Sequence, residues 1–215
     1  MMKKIIYTFI LLMTGSIINA QTGKVMDNLS MPSKILNMER KYAVYLPPDY
    51  ETSQRSYPVL YLLHGGAGNQ VVWVQNGNVL NIADEAIRGG KTTPMIIVMP
   101  DAGGANRGYG NDPRGKWMYE DFFFREFIPY IEKTYRVRSA KRYRAVAGLS
   151  MGGNGAFIYA LHHPEMFAAA CPLSAGTFPF SLDEAKARIH ERYQGITDAQ
   201  TEDYYNNYGI LELIN

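Results

Sequence analysis

Gly148-Leu149-Ser150-Met151-Gly152 sets a serine between two glycines at the spacing G-x-S-x-G. A serine in that pattern sits on a tight strand-to-helix turn with its hydroxyl exposed. Glycines flank it because a side chain at either place would crowd strand and helix where they run back together. The chemistry open to such a hydroxyl is nucleophilic attack on a carbonyl carbon, which leaves a negative oxygen to be stabilised. A second segment suits that oxygen. Tyr61-Leu62-Leu63-His64-Gly65-Gly66 puts a histidine and two glycines just past an apolar run, and the backbone N–H groups of Gly65 and Gly66 would form an oxyanion hole with that of Met151. The helix opening at Met151 aims the positive end of its dipole the same way. His64 reads as a brace for the loop and not as a general base, since the loop's task is to present backbone donors.

The elements around these residues decide whether the pattern means anything. Val59 to Leu63 and Met95 to Met99 are continuous apolar runs bounded by prolines and glycines, as expected of strands buried on both faces. Between them Val79, Leu80, Ala83, Ala86 and Ile87 recur at helical spacing, with Gly89 and Gly90 as the stop. Tyr119 to Tyr135 fits a further helix that Pro129 must kink or shift. Tyr143 to Ala147 is a short strand, Gly152 to His162 a helix stopped near Pro164, and Ala168 to Leu173 another strand. Upstream, alternation around Ser33 to Leu36 and Tyr42 to Leu46 predicts two antiparallel strands. The order strand, helix, strand, helix is that of an α/β fold with a mostly parallel sheet. From about 177 to 215 the pattern turns helical, with possible capping boxes at Ser181 with Glu184 and Thr197 with Gln200.

At 215 residues, 47% of them hydrophobic and 20% charged, the chain has the makings of one ordinary globular domain. Lys3 and Lys4 precede an apolar run from Ile5 to Met13 that leads to Ala20, which reads as a signal peptide over 1–20 and a single domain over 21–215. The run is too short to span a membrane, so no stable membrane insertion is expected after cleavage, and the localisation expected is secreted or periplasmic. Without Lys3 and Lys4 the 22 basic side chains fall level with the 20 acidic ones, which argues against a nucleic-acid partner. The single cysteine, Cys171, forms no intramolecular disulfide and, in an apolar strand, is expected to be a buried inert thiol. No spacing of histidine, cysteine and carboxylate predicts a metal site, and no cofactor is expected.

His64-Gly65-Gly66, Met99-Pro100-Asp101, Tyr119-Glu120-Asp121 and Gly148-Leu149-Ser150-Met151-Gly152-Gly153 together resemble the esterase D and feruloyl esterase group of α/β-hydrolases, over about Tyr42 to Gly176. His163-Pro164-Glu165 with Phe167, and Leu173-Ser174-Ala175-Gly176, are similar to that group's segments after the nucleophile. The resemblance implies the α/β-hydrolase fold and a serine carboxylic ester hydrolase working through an acyl-serine intermediate on Ser150. Within the group are carbohydrate esterases that remove acetyl or feruloyl groups from plant polysaccharides, S-formylglutathione hydrolases and mycolyltransferases. The signal peptide favours the polysaccharide branch.

A serine hydrolase also needs a histidine base and a carboxylate to orient it, and the resemblance places both later in the chain than Gly176, in the order acid, then histidine. His162 and His163 end the helix that Ser150 begins, about 16 Å away at 1.5 Å per residue, so neither is the base. His190 lies in the helical tail, which the resemblance makes a cap region, and Asp183, Asp198 and Asp203 read as solvated surface acids. The expectation is therefore a C-terminally incomplete domain with neither triad acid nor triad histidine, inactive or nearly so alone. Asp101 precedes the nucleophile and reads as a brace for the Gly103-Gly104 loop. Trp73 and Trp117 are open between a substrate wall and core packing. Two further functional readings remain open: a non-catalytic carbohydrate-binding relative of the esterases, and an acyltransferase of the same fold.

Overall fold

A computed structural model describes residues 21–104, 107–176 and 181–214. The expected signal peptide lies outside the described residues, as does 177–180 at the start of the expected cap. Among the described residues six strands form one sheet: β1 (Lys24–Ser33), β2 (Met38–Leu46), β3 (Val59–Leu63), β4 (Ile96–Pro100), β5 (Arg144–Leu149) and β6 (Ala169–Leu173). Their order is β1-β2-β4-β3-β5-β6, antiparallel from β1 through β2 to β4 and parallel from there to β6. The parallel half is the predicted α/β sheet.

Strand periodicity sorts the side chains. Tyr42, Val44 and Leu46 of β2, Val59, Tyr61 and Leu63 of β3, and Ile96 and Val98 of β4 face one side. Ala43, Tyr45, Leu62, Ile97 and Met99 face the other. The first side is covered by α5 (Met151–His162) and by a composite helix made of α3 (Tyr119–Phe122), a π-helical turn (Phe123–Phe127) and α4 (Ile128–Thr134). Its core is aromatic, with Phe122, Phe123, Phe127, Tyr61 and Tyr159 fully buried and their rings mostly edge to face or tilted. The second side is covered by α1 (Val72–Gln75) and α2 (Val79–Arg88).

The shift that Pro129 imposes on the helix from Tyr119 is a π turn, which inserts a residue just before the proline. Two expectations change. The first strand is Lys24–Ser33, and the segment 34–37 is its hairpin turn, with Asn37 at φ 50°. The reason is Glu126, whose carboxylate accepts from Ser33 Oγ at 2.6 Å and from the N–H groups of Lys34 at 3.0 Å and Ile35 at 3.3 Å. Those amides are drawn to a carboxylate and away from strand pairing. Cys171 is exposed and not buried. It lies on β6, one of the two edge strands of the described sheet, where Leu173 and neighbouring Leu149 of β5 are also exposed, because no helix of the described residues reaches that part of the second face.

The region expected to be a cap carries α6 (Leu182–Arg192), α7 (Asp198–Tyr208) and α8 (Ile210–Leu213). Thr197 and Gln200 form the full predicted capping box of α7, whereas Ser181 caps α6 from one side, accepting from the Glu184 N–H. The cap is tied to the body at Glu120. This buried carboxylate accepts from Tyr208 Oη and His162 Nδ1, both at 2.7 Å, and meets His163 Nε2 at 3.2 Å. His162 Nε2 lies 2.5 Å from the Asn207 carbonyl, so both its ring nitrogens face acceptors, as suits an imidazolium.

Burial by itself would push Glu120 up, but the bonds and charge of His162 hold it below the ordinary carboxylate value of 4.5. Burial would likewise lower His162, and Glu120 lifts it above the ordinary 6.5. A depressed carboxylate stabilises the fold above its unfolded value and is lost as pH falls through its folded value; a raised histidine stabilises below its unfolded value and is lost as pH rises through its folded value. The clamp is thus whole between pH 4.5 and 6.5. Melting curves of the wild type and His162→Gln are expected to differ most in that window, the difference shrinking on either side. A difference that grows as pH rises from 6.5 to 9 contradicts a charged clamp.

Candidate active site

Strand β5 ends at Leu149 and helix α5 begins at Met151, so the whole reversal falls on Ser150. Its backbone stands at φ 55°, ψ −112°, a region L-residues rarely occupy, and its side chain is exposed. The surrounding structure enforces this. The Ser150 N–H donates to the Leu173 carbonyl at 2.9 Å, and its carbonyl accepts from the Asn154 N–H at 3.0 Å.

The flanking glycines are a matter of space. A Cβ on Gly148 would meet Leu63 Cβ at 2.8 Å and collide with the Gly152 carbonyl; one on Gly152 would lie 2.7 Å from the His64 carbonyl oxygen. Strand β3, the turn and the first turn of α5 are therefore in backbone contact, which brings the loop after β3 up to the serine. A Cβ on Gly65 would lie 3.8 Å from Ser150 Cβ. Among the described residues the N–H groups of Gly65, Gly66 and Met151 have no protein acceptor. All three predicted donors are thus near or next to Ser150 and uncommitted.

His64 lies beneath this loop and only 1% exposed. Its Nε2 accepts from the Ala102 N–H at 2.9 Å, which assigns the proton to Nδ1, and Nδ1 donates to the Gly65 carbonyl at 2.7 Å. The His64 N–H donates to Tyr109 Oη at 2.7 Å. The histidine fixes the loop, as its position in the sequence implied. Asp101 does the same for the next loop, accepting from the Gly103 N–H at 2.8 Å.

Trp73 and Trp117 separate. Trp117 is buried, donates to the Gly108 carbonyl at 2.8 Å, stacks with Tyr119 and has the guanidiniums of Arg40 and Arg107 at 5.0 and 4.5 Å from its ring. Trp73 borders an open groove of about 570 Å³ that holds Ser150 itself, with Gly65, Val72 and Leu149.

Ser150 Oγ makes no hydrogen bond to any histidine among the described residues. His162 and His163 are engaged by Glu120 at the far end of α5. His190 meets Asp198 Oδ1 at 3.0 Å and Thr201 Oγ1 at 3.3 Å within the cap, so Asp198, expected to be merely solvated, has a partner though it stays largely exposed. Asn154 and Arg192 escaped the sequence reading, although both line a cavity beside Met151. For Asn154 the signal was there: it follows Ser150 by four residues, one helical turn, on the same face.

Residues 33–199 match the model of a family described as "putative esterase". An endo-1,4-beta-xylanase/feruloyl esterase of Xylanibacter ruminicola is 39% identical over 67% of this chain and 21% of its own length. An esterase of Mycobacterium tuberculosis is 43% identical over 65% of this chain and 29% of its own. A solved ferulic acid esterase superposes with a TM-score of 0.65 at 45% identity, over 68% of this chain and 56% of that one. The chain thus spans between a fifth and a third of these two curated relatives.

Backbone strain at residue 150 has a measurable cost. Ser150→Gly is expected to be more stable than Ser150→Ala by about 1 kcal/mol in urea unfolding, since glycine adopts this conformation freely. Gly152→Ala is expected to lose more than about 3 kcal/mol or not to fold. Equal stability of the two Ser150 variants contradicts a strained turn.

Proposed function

Because the chain belongs to this esterase family of α/β-hydrolases, we propose that it attacks carboxylic esters with Ser150 through an acyl-serine intermediate. The observation that carries the reading is the exposed serine on a strained turn, beside three amides that have no acceptor among the described residues. In the proposed step Ser150 Oγ bonds to the ester carbonyl carbon, and the carbonyl oxygen becomes an oxyanion. The Gly65, Gly66 and Met151 N–H groups receive that oxyanion, with the dipole of α5 behind them. Collapse expels the alcohol and leaves the acyl group on the serine; water then releases the acid.

The proposed substrates are acetyl or feruloyl esters of plant polysaccharides. Two of the similar proteins are named as feruloyl or ferulic acid esterases, one of them also as a xylanase, and a leader-like segment over 1–20 is consistent with export. The proton on Ser150 must leave for attack to occur. Since no described histidine touches Oγ, the proposal assigns the base and its orienting acid to no residue of this chain. The same observation favours a second reading, in which the 215-residue chain binds a carbohydrate ester without turning it over.

Hydrolysis of 4-nitrophenyl acetate and methyl ferulate by the purified chain tests both parts. Loss of the histidine from such a machinery costs on the order of 10⁶ in rate, so turnover on the order of 10⁻⁵ s⁻¹ is expected in place of the ~10 s⁻¹ of an ordinary enzyme. Ser150→Ala should change it little, because a serine without its base adds almost nothing to the residual rate. Fast turnover abolished by Ser150→Ala would place a base within this chain; fast turnover unchanged by Ser150→Ala would remove Ser150 from the mechanism.

A further inference from the structure

Tyr109 lies between Gly108 and Gly110, on the segment that joins β4 to α3, and is only 3% exposed. Its hydroxyl meets both main-chain polar groups of His64, accepting from the N–H at 2.7 Å and donating to the carbonyl at 3.2 Å. The second of these bonds reaches further than His64. A peptide group is planar, and in the trans form its carbonyl and its N–H point in opposite directions. No peptide bond among the described residues is cis, so whatever fixes the His64 carbonyl also fixes the N–H of Gly65. The bond from His64 Nδ1 to the Gly65 carbonyl, at 2.7 Å, fixes the next plane, which carries the Gly66 N–H.

Tyr109 is itself fastened to the helix that begins after Ser150. A Cβ on Gly155 of α5 would lie 2.7 Å from Tyr109 Cβ, so main chain and tyrosine are in close contact there. One turn further along α5, Tyr159 Oη donates to the Tyr109 carbonyl at 2.7 Å. On the other side of the segment the Asn111 N–H donates to Tyr208 Oη at 3.0 Å. One buried side chain therefore joins the loop at Gly65 to the helix at Ser150.

We propose that Tyr109 is a positioning residue of the active site: through the His64 carbonyl it sets the direction of the Gly65 N–H, and through α5 it keeps that N–H in register with Ser150. Without the hydroxyl, the His64 N–H and carbonyl lose a buried partner, and the peptide plane is free to turn toward a new one. A donor displaced in this way loses much of its hold on a developing oxyanion, whose stabilisation depends on groups fixed in advance. The catalytic part of the proposal rests on the reading of Gly65 and Gly66 as oxyanion donors; the fixing of the peptide planes does not.

The test compares three variants of the 215-residue chain. Tyr109→Phe keeps the ring and removes the hydroxyl. Tyr159→Phe removes only the bond to the Tyr109 carbonyl. Tyr61→Phe is the control, since that hydroxyl is buried and has no partner among the described residues. One readout is the residual hydrolysis of 4-nitrophenyl acetate, which a serine hydrolase without its base owes to its oxyanion hole and to binding. The other is the backbone NMR order parameter of Gly65 and Gly66. Tyr109→Phe is expected to lower kcat roughly tenfold at unchanged KM, because the oxyanion exists only in the transition state. It should also bring the Gly65 order parameter down from about 0.85 toward 0.6. Tyr159→Phe should do both to a smaller extent, and Tyr61→Phe neither. A folded Tyr109→Phe chain that melts earlier but keeps the wild-type kcat and order parameters marks a merely structural tyrosine and overturns the proposal, as does an equal loss in Tyr61→Phe. If Tyr109→Phe does not fold, Tyr159→Phe decides by the same criteria. If even the wild type hydrolyses no faster than buffer, the esterase reading fails, and the order parameters alone decide whether Tyr109 holds the loop.

Discussion

The site depends on backbone meeting backbone. At Gly148 and Gly152 the ends of β5 and α5 come so close to the end of β3 that no side chain fits between them. This contact turns Ser150 outward, and it carries the loop at Gly65 to within reach of the same hydroxyl. The geometry of Ser150 and of the loop at Gly65 beside it is therefore one constraint, imposed by steric exclusion. Hydrogen bonds on either side of Ser150 hold the turn in a conformation it would not adopt alone.

Behind the site, rigidity comes from polar groups that are buried and matched. His64 links the Gly65 loop to Ala102 through its two ring nitrogens, and Tyr109 Oη takes its backbone N–H. Each bond fixes a loop that would otherwise have only its own turns to shape it. Under the cap, Glu120 does the equivalent for helices, joining Tyr208 to the two histidines that end α5. The aromatic core between these two networks supplies the apolar burial and leaves orientation to them.

How much of this was legible in the sequence follows from how local each cause is. Strands β3 and β4 were read to within one residue because burial on both faces writes an unbroken apolar run. Ser150, Gly148 and Gly152 were legible because steric exclusion leaves glycine as its trace. The hairpin at 34–37 was not, since its shape is set by Glu126, some ninety residues on. Glu120 was visible only as part of a resemblance, because its partners come from α5 and α7 and nothing in the spacing joins them. Cys171 was misjudged for a related reason: an apolar strand predicts burial only where some other element lies over it, and none of the described residues covers this one.

Strand β6 has a consequence for how the molecule behaves in concentrated solution. Among the described residues β6 is at one edge of the sheet, and such a strand offers its main-chain edge to any other chain that can align with it. Ala169-Ala170-Cys171-Pro172-Leu173 carries no charge to discourage this, but Pro172 has no N–H to give and breaks the row of donors. A single imino acid thus acts as the gatekeeper of that edge, making stacking of molecules into longer ribbons less favourable than the strand's apolar character would otherwise allow.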